Sequence, residues 1–112
     1  MKKIEAIIRP FEVDQVKAAL DRLGVPGLTV GEVQGHGADC DALASLDSGS
    51  ISGGLPQVKI EILLDDAAVD EAVASIAGAT GTNGAGEPAP LFIAPVDEVV
   101  RIRTGERGTA AV

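Results

Sequence analysis

Aromatic residues are nearly absent from this sequence: 112 residues hold no tryptophan, no tyrosine and two phenylalanines, Phe11 and Phe92. The interior must therefore be aliphatic, and the ring platforms on which single-stranded nucleic acids stack cannot be assembled. Cations are also scarce. Nine Lys and Arg against 17 Asp and Glu leave a net charge of -8, which excludes the basic surface that a duplex requires. A single cysteine, Cys40, excludes an internal disulfide. No apolar run approaches membrane-spanning length, and Met1-Lys2-Lys3-Ile4 leads straight into an alternating stretch without the apolar core of a signal peptide. These absences lead us to expect a cytoplasmic acidic protein with no nucleic-acid partner and no direct membrane insertion.

What the chain does contain is aliphatic patterning. A hydrophobic fraction of 46% in one unit spanning residues 1-112 is enough to bury a core. Two alternating, β-branched runs, Leu28 to Val33 and Val58 to Leu64, read as strands of one hairpin. The loop between them, residues 35-56, holds five glycines, four serines and three aspartates, far more than a hairpin needs, so function is sought there. Before the hairpin, Lys2 to Arg9 alternates as a first strand ended by Pro10, and Val13, Val16, Leu20 and Leu23 form a helical stripe stopped at Gly24. After it, Asp65 and Asp66 precede a second stripe, Val69, Val73 and Ile76. A glycine-rich loop over 78-90, a fourth strand from Leu91 to Ala94, an extended continuation from Val99 to Ile102 and a weakly held tail over 104-112 complete the chain. The order is β-α-β-β-α-β. It predicts an α+β, ferredoxin-like fold, with a four-stranded antiparallel sheet and two helices on one face. Ile7, Val33 and Ile62 are assigned to the opposite face, so other copies of the chain are expected to cover it.

Three groups of residues suggest chemistry. Arg101 and Arg103 flank Ile102, and on a strand both guanidiniums would leave one face and fork onto a polyphosphate. Gly35-His36-Gly37 follows the second strand, where glycines let backbone amides approach an anion. His36 and Cys40, with Asp39 and Asp41, offer donors to a transition metal but lack the paired spacing of a structural zinc site. Loop serines Ser45, Ser48, Ser50 and Ser52 could accept phosphate. Ferredoxin-like domains also host acyl-phosphate hydrolysis, but no nucleophile here is paired with a base, so the chain is not expected to be an enzyme.

The stretches MKKIEAIIRPFEVDQVKAAL, GLTVGEVQGHG, LPQVKIEI and VVRIRTGERG together resemble the PII signal-transduction proteins, with RIRTGERG the most specific piece. The resemblance implies a homotrimer that binds an adenine nucleotide (AMP, ADP or ATP) in clefts between neighbours. It also implies that the hairpin loop, the T-loop, docks onto a protein or membrane-transporter target. By the same resemblance Gly27, Thr29, Glu61 and Leu63 match base and ribose contacts, while Gly35, His36, Gly37, Gly84, Gly86, Arg101 and Arg103 match phosphate contacts. The chain departs from the pattern in its second glycine-rich loop. There the usual phosphate-binding lysine is missing and Glu87 adds negative charge, so weaker triphosphate binding is expected. The T-loop lacks the tyrosine that is uridylylated in many relatives, and it lacks the glutamine that helps magnesium hold 2-oxoglutarate. The resemblance therefore does not extend to 2-oxoglutarate sensing. Divergent relatives make bicarbonate a candidate second ligand and inorganic-carbon or metal transport a candidate setting.

Overall fold

The computed structural model describes residues 1–37, 54–80 and 90–112. The first strand, β1 (Lys2–Ile8), ends where Pro10 begins a short 3-10 turn, Pro10–Glu12. That turn is closed by the Arg9 backbone N–H donating to the Glu12 carboxylate at 2.9 Å. Helix α1 follows (Val13–Arg22), burying Val16, Ala19 and Leu20. It ends in a Schellman motif: the Val25 N–H donates to the Leu20 carbonyl and the Gly24 N–H to that of Asp21, with Gly24 at φ +74. Strands β2 (Thr29–Gly35) and β3 (Leu55–Leu64) form the hairpin arms. A 3-10 turn, Asp66–Ala68, leads into α2 (Val69–Thr80), and β4 (Leu91–Pro95) closes the sheet.

The sheet is antiparallel throughout, in the order β2-β3-β1-β4. Two helices lie on one face of this open four-stranded sheet, which is the ferredoxin-like arrangement. Cross-strand partners share a face, so Ile4 opposite Ile62, Ala6 opposite Ile60 and Ile8 opposite Val58 make one apolar layer. It packs against Val16, Leu20, Ala72 and Ile76 of the helices. Both phenylalanines stay outside this layer, Phe11 at 67% and Phe92 at 55% exposure, so the interior is wholly aliphatic.

The expected elements shift at several points. Ile62 belongs to the helix-covered face, not the open one, because it pairs with Ile4. The hairpin strands are longer than expected, reaching Gly35 and Leu55. Pro56 is tolerated inside β3 because β1 ends opposite Val58, so its missing N–H removes no bond to β1. Gly78 does not begin a loop: α2 runs on to Thr80, whose hydroxyl donates back to the Ile76 carbonyl. Val99 to Ile102 is not a strand. Only Val100 makes a bridge, to Arg107, and the intervening residues form a turn. The last residues are not a loose tail either, since Gly108–Ala111 forms a 3-10 turn.

The open face carries charge at its centre. Lys3 lies 2.8 Å from Glu5 and 3.5 Å from Glu61, and Lys59 lies 3.9 Å from Glu61. The hydrogen bond to Lys3, with its charge, holds the Glu5 carboxyl below its ordinary 4.5, and Glu5 in turn raises the Lys3 ammonium above 10.5. The depressed carboxylate stabilises the fold above its unfolded value and loses that contribution as pH falls through the folded one; the raised ammonium contributes below its unfolded value and loses it as pH rises. The difference in thermal midpoint between wild type and Lys3→Met is therefore expected to be flat from about pH 5 to about pH 10 and to shrink outside that window. A difference that grew on acidification would contradict the pairing.

Gly54 generates a second prediction. It sits at φ +78 just before β3, and a Cβ there would lie 2.6 Å from the His36 imidazole and 2.7 Å from the Gly35 carbonyl oxygen. Gly54→Ala meets both a positive φ and a backbone atom, so it is expected to cost about 1–3 kcal/mol in chemical denaturation. Gly24→Ala has a positive φ but open space around it, and is expected to cost less.

Candidate functional site

The candidate residues fall into three clusters set by the topology. The first lies where β2 begins and β3 ends. Thr29 and Glu61 are register partners, Leu63 is two residues further along β3, and Gly27 precedes β2. These four line one cavity of about 190 Å³ with Pro26, Leu28 and Val112. A neighbouring cavity of about 290 Å³ shares Pro26, Leu63 and Val112 and continues between Leu23, Leu64 and Ala72. Each falls below the usual size of a small-molecule site, which begins at about 300 Å³. Val112 is seated against both cavities, contrary to the expectation of a weakly held tail. Glu61, which lines the cavity, lies within ion-pair distance of Lys3 and Lys59.

The second cluster is Gly35, His36 and Gly37, at the other end of β2. Gly35 is six residues from Thr29, roughly 20 Å at ordinary strand rise. His36 packs on Gly54, which brings the two sides of the long loop together at its base. Gly37 has φ +135 and open space around it, so the chain turns there in a conformation that a side chain would resist. One protomer thus keeps the expected anion turn far from the expected base cavity.

The third cluster is the arginine loop after β4. Arg101 and Arg103 do not project from one face of a strand; they lie on a turn closed by its own backbone. The Arg101 N–H donates to the Glu106 carbonyl at 2.8 Å, the Gly105 N–H to the Arg101 carbonyl at 2.7 Å and the Gly108 N–H to the Val99 carbonyl at 3.0 Å. Gly105 and Gly108 take positive φ to allow this. Ile102, at the tip, is 99% exposed, so the turn carries its two cations on a protruding apolar point. Glu106 was not among the residues singled out from the sequence. Its carboxylate accepts the Thr104 hydroxyl at 2.9 Å and lies 3.3 Å from the Arg101 guanidinium. Thr104-Gly105 between two oppositely charged residues was the available sign of such a turn. Glu98 pairs with Arg107 at the loop's outer end. Among the described residues, Arg103 has no ion-pair partner.

Gly84 and Gly86, with the other residues of 81-89, lie outside the described residues, as do Asp39, Cys40, Asp41 and the loop serines. The proposed metal donors therefore reduce to His36, and no group of three His, Cys, Asp or Glu side chains able to hold a metal occurs among the described residues. No helix among them is long and apolar enough to cross a membrane.

Comparison with known proteins places the chain in a family. The family model for nitrogen regulatory protein P-II matches residues 1–106. Nitrogen regulatory proteins P-II from Azospirillum brasilense and Cereibacter sphaeroides are 45% and 47% identical to the chain over 114 aligned positions, and that from Synechocystis is 44% identical over 113. In each case both chains are covered completely. A family match across nearly the whole chain, joined to a ferredoxin-like sheet with a long β2–β3 loop, means that the chain belongs to the P-II family of nitrogen regulatory signalling proteins.

Proposed function

We propose that the chain is a signalling subunit that binds an adenine nucleotide in clefts between copies of itself, assembles as a homotrimer, and reports nucleotide state to a protein or transporter target through residues 35-56. The observation that carries this reading is the separation of the site's parts. The base cavity at Gly27, Thr29, Glu61 and Leu63 is undersized and lies a strand's length from the Gly35 to Gly37 turn. A second copy, related by symmetry, can set one copy's turn against its neighbour's cavity and complete a site that neither holds alone. The open face supports the same assembly. Its ion-paired centre is bordered by Ile7, Val33 and the exposed Phe92, a surface suited to burial against copies of itself.

Arg103, without a carboxylate partner, is the cation best placed to meet phosphate, and Arg101 stands beside it in sequence. Gly84 and Gly86 would add backbone amides, but without a lysine and with Glu87 in that loop the γ-phosphate gains little. The names of the relatives speak for nitrogen regulation, and none points to bicarbonate or to metal transport. Regulation without catalysis fits the family, whose members transduce signals.

Calorimetric titration of the purified protein with AMP, ADP and ATP tests the reading. Saturable binding near one nucleotide per chain is expected, with ATP, ADP and AMP within about tenfold of one another. Arg103→Ala should weaken binding by about ten- to a hundredfold, the worth of a charged hydrogen bond to phosphate. Absence of binding at millimolar nucleotide, or a monomer mass in sedimentation, would overturn it.

A further inference from the structure

Two of the carboxylates after β4 are each set on an arginine. Glu98 takes Arg107 at the outer end, and Glu106 takes Arg101 at the inner end. The Glu106 side chain is held from two directions, by the Thr104 hydroxyl and by the Arg101 guanidinium, while its backbone carbonyl accepts the Arg101 N–H. Arg101 therefore already has an anion against it, and among the described residues its neighbour Arg103 does not. Both members of the Arg101–Glu106 pair are about half exposed, at 45% each, so the contact is weak enough to be exchanged for another anion.

We infer that Glu106 is a specificity-determining residue of the phosphate site. Its carboxylate occupies Arg101 in the free protein and must be displaced before that arginine can engage a polyphosphate. The inference rests on reading the arginine loop as the phosphate-binding element, and it adds an order of events. An anion first meets the unpaired Arg103; only a ligand with enough negative charge to compete with Glu106 recruits Arg101 as well. A carboxylate that stays beside the arginine after displacement also repels added phosphates, so it penalises ligands in order of charge. Glu106 acts against the triphosphate from within the described loop, independently of the missing lysine in the second glycine-rich loop.

The test compares wild type, Glu106→Gln, Glu106→Ala and Glu98→Gln, titrated with ATP, ADP, AMP and inorganic tripolyphosphate. Glu98→Gln removes the same charge from the same loop but frees Arg107 instead of Arg101. Both Glu106 variants are expected to bind ATP and tripolyphosphate about two- to fivefold more tightly than wild type, the range of an exposed ion pair, with a smaller gain for AMP. Glu98→Gln should stay nearer to wild type, and the gain should fade at high salt, where exposed charges are screened. Unchanged or weaker binding in the Glu106 variants, while Arg103→Ala still weakens binding by about ten- to a hundredfold, would overturn the inference and leave the nucleotide site standing. An equal gain in Glu98→Gln would overturn it too, by showing a general charge effect. No binding of any ligand to wild type or to either Glu106 variant would remove the nucleotide reading together with the inference.

Discussion

One aliphatic layer carries this fold. Ile4, Ala6 and Ile8 from β1, with Val58, Ile60, Ile62 and Leu64 from β3, present a single apolar surface, and Val16, Leu20, Ala72 and Ile76 close it from above. With both phenylalanines outside, no large ring fills irregular space, so the fit depends on branched side chains and alanines meeting at close range. Removing a buried leucine or isoleucine side chain from such a core typically costs about 2–5 kcal/mol, because the neighbours have little slack to collapse into the gap. Everything functional hangs from this layer. The two central strands, β1 and β3, hold the sheet on both sides, and the long loop leaves and re-enters through β2 and β3.

Charge is then arranged on what the layer leaves bare. The chain is strongly acidic, and four of its nine Lys and Arg side chains sit against carboxylates: Lys3 and Lys59 on the open face beside Glu5 and Glu61, Arg101 and Arg107 on the C-terminal loop beside Glu106 and Glu98. Exposed pairs of this kind add little stability individually. Their placement sets which of these cations already face a carboxylate. Arg103 stands apart from this pattern, at the side of a protruding turn.

Period and turn chemistry made most of the fold legible. The alternation in Lys2 to Ile8 and the stripe through Val16 and Leu20 named the core correctly, and Gly24 marked the helix end where the Schellman motif forms. Alternation with Lys59 and Glu61 puts Ile62 on the face of Val58 and Ile60; the apolar run Ile62-Leu63-Leu64 at the strand's end blurs that period, and the register with Ile4 restores it. In the sequence pattern Gly78 opens a loop and Pro56 closes one, but packing keeps the helix going through Gly78, and the end of β1 leaves room for Pro56 within β3. In the candidate site, only the family resemblance grouped Thr29, Glu61 and Leu63; the register of β2 on β3 is what explains their proximity. The distance between that group and Gly35 to Gly37 also follows from strand length. What local pattern could not supply was the turn at Arg101 to Glu106: an R-x-R in an alternating context looks like a strand until the Thr-Gly reversal and the returning Glu106 carboxylate are seen together.

The register of β1 also bears on how the chain reaches this state. Its partners lie far away in sequence, Lys2 opposite Leu64 on one side and opposite Pro95 on the other. During synthesis the first strand therefore has nothing to pair with until the hairpin has emerged, and its outer edge stays open until nearly the whole chain is made. Contacts of such high sequence separation slow folding, because the entropy of closing the intervening chain must be met before any of them contributes. Helix α1, whose cap is built from neighbouring residues, can form early; the sheet that it covers closes last.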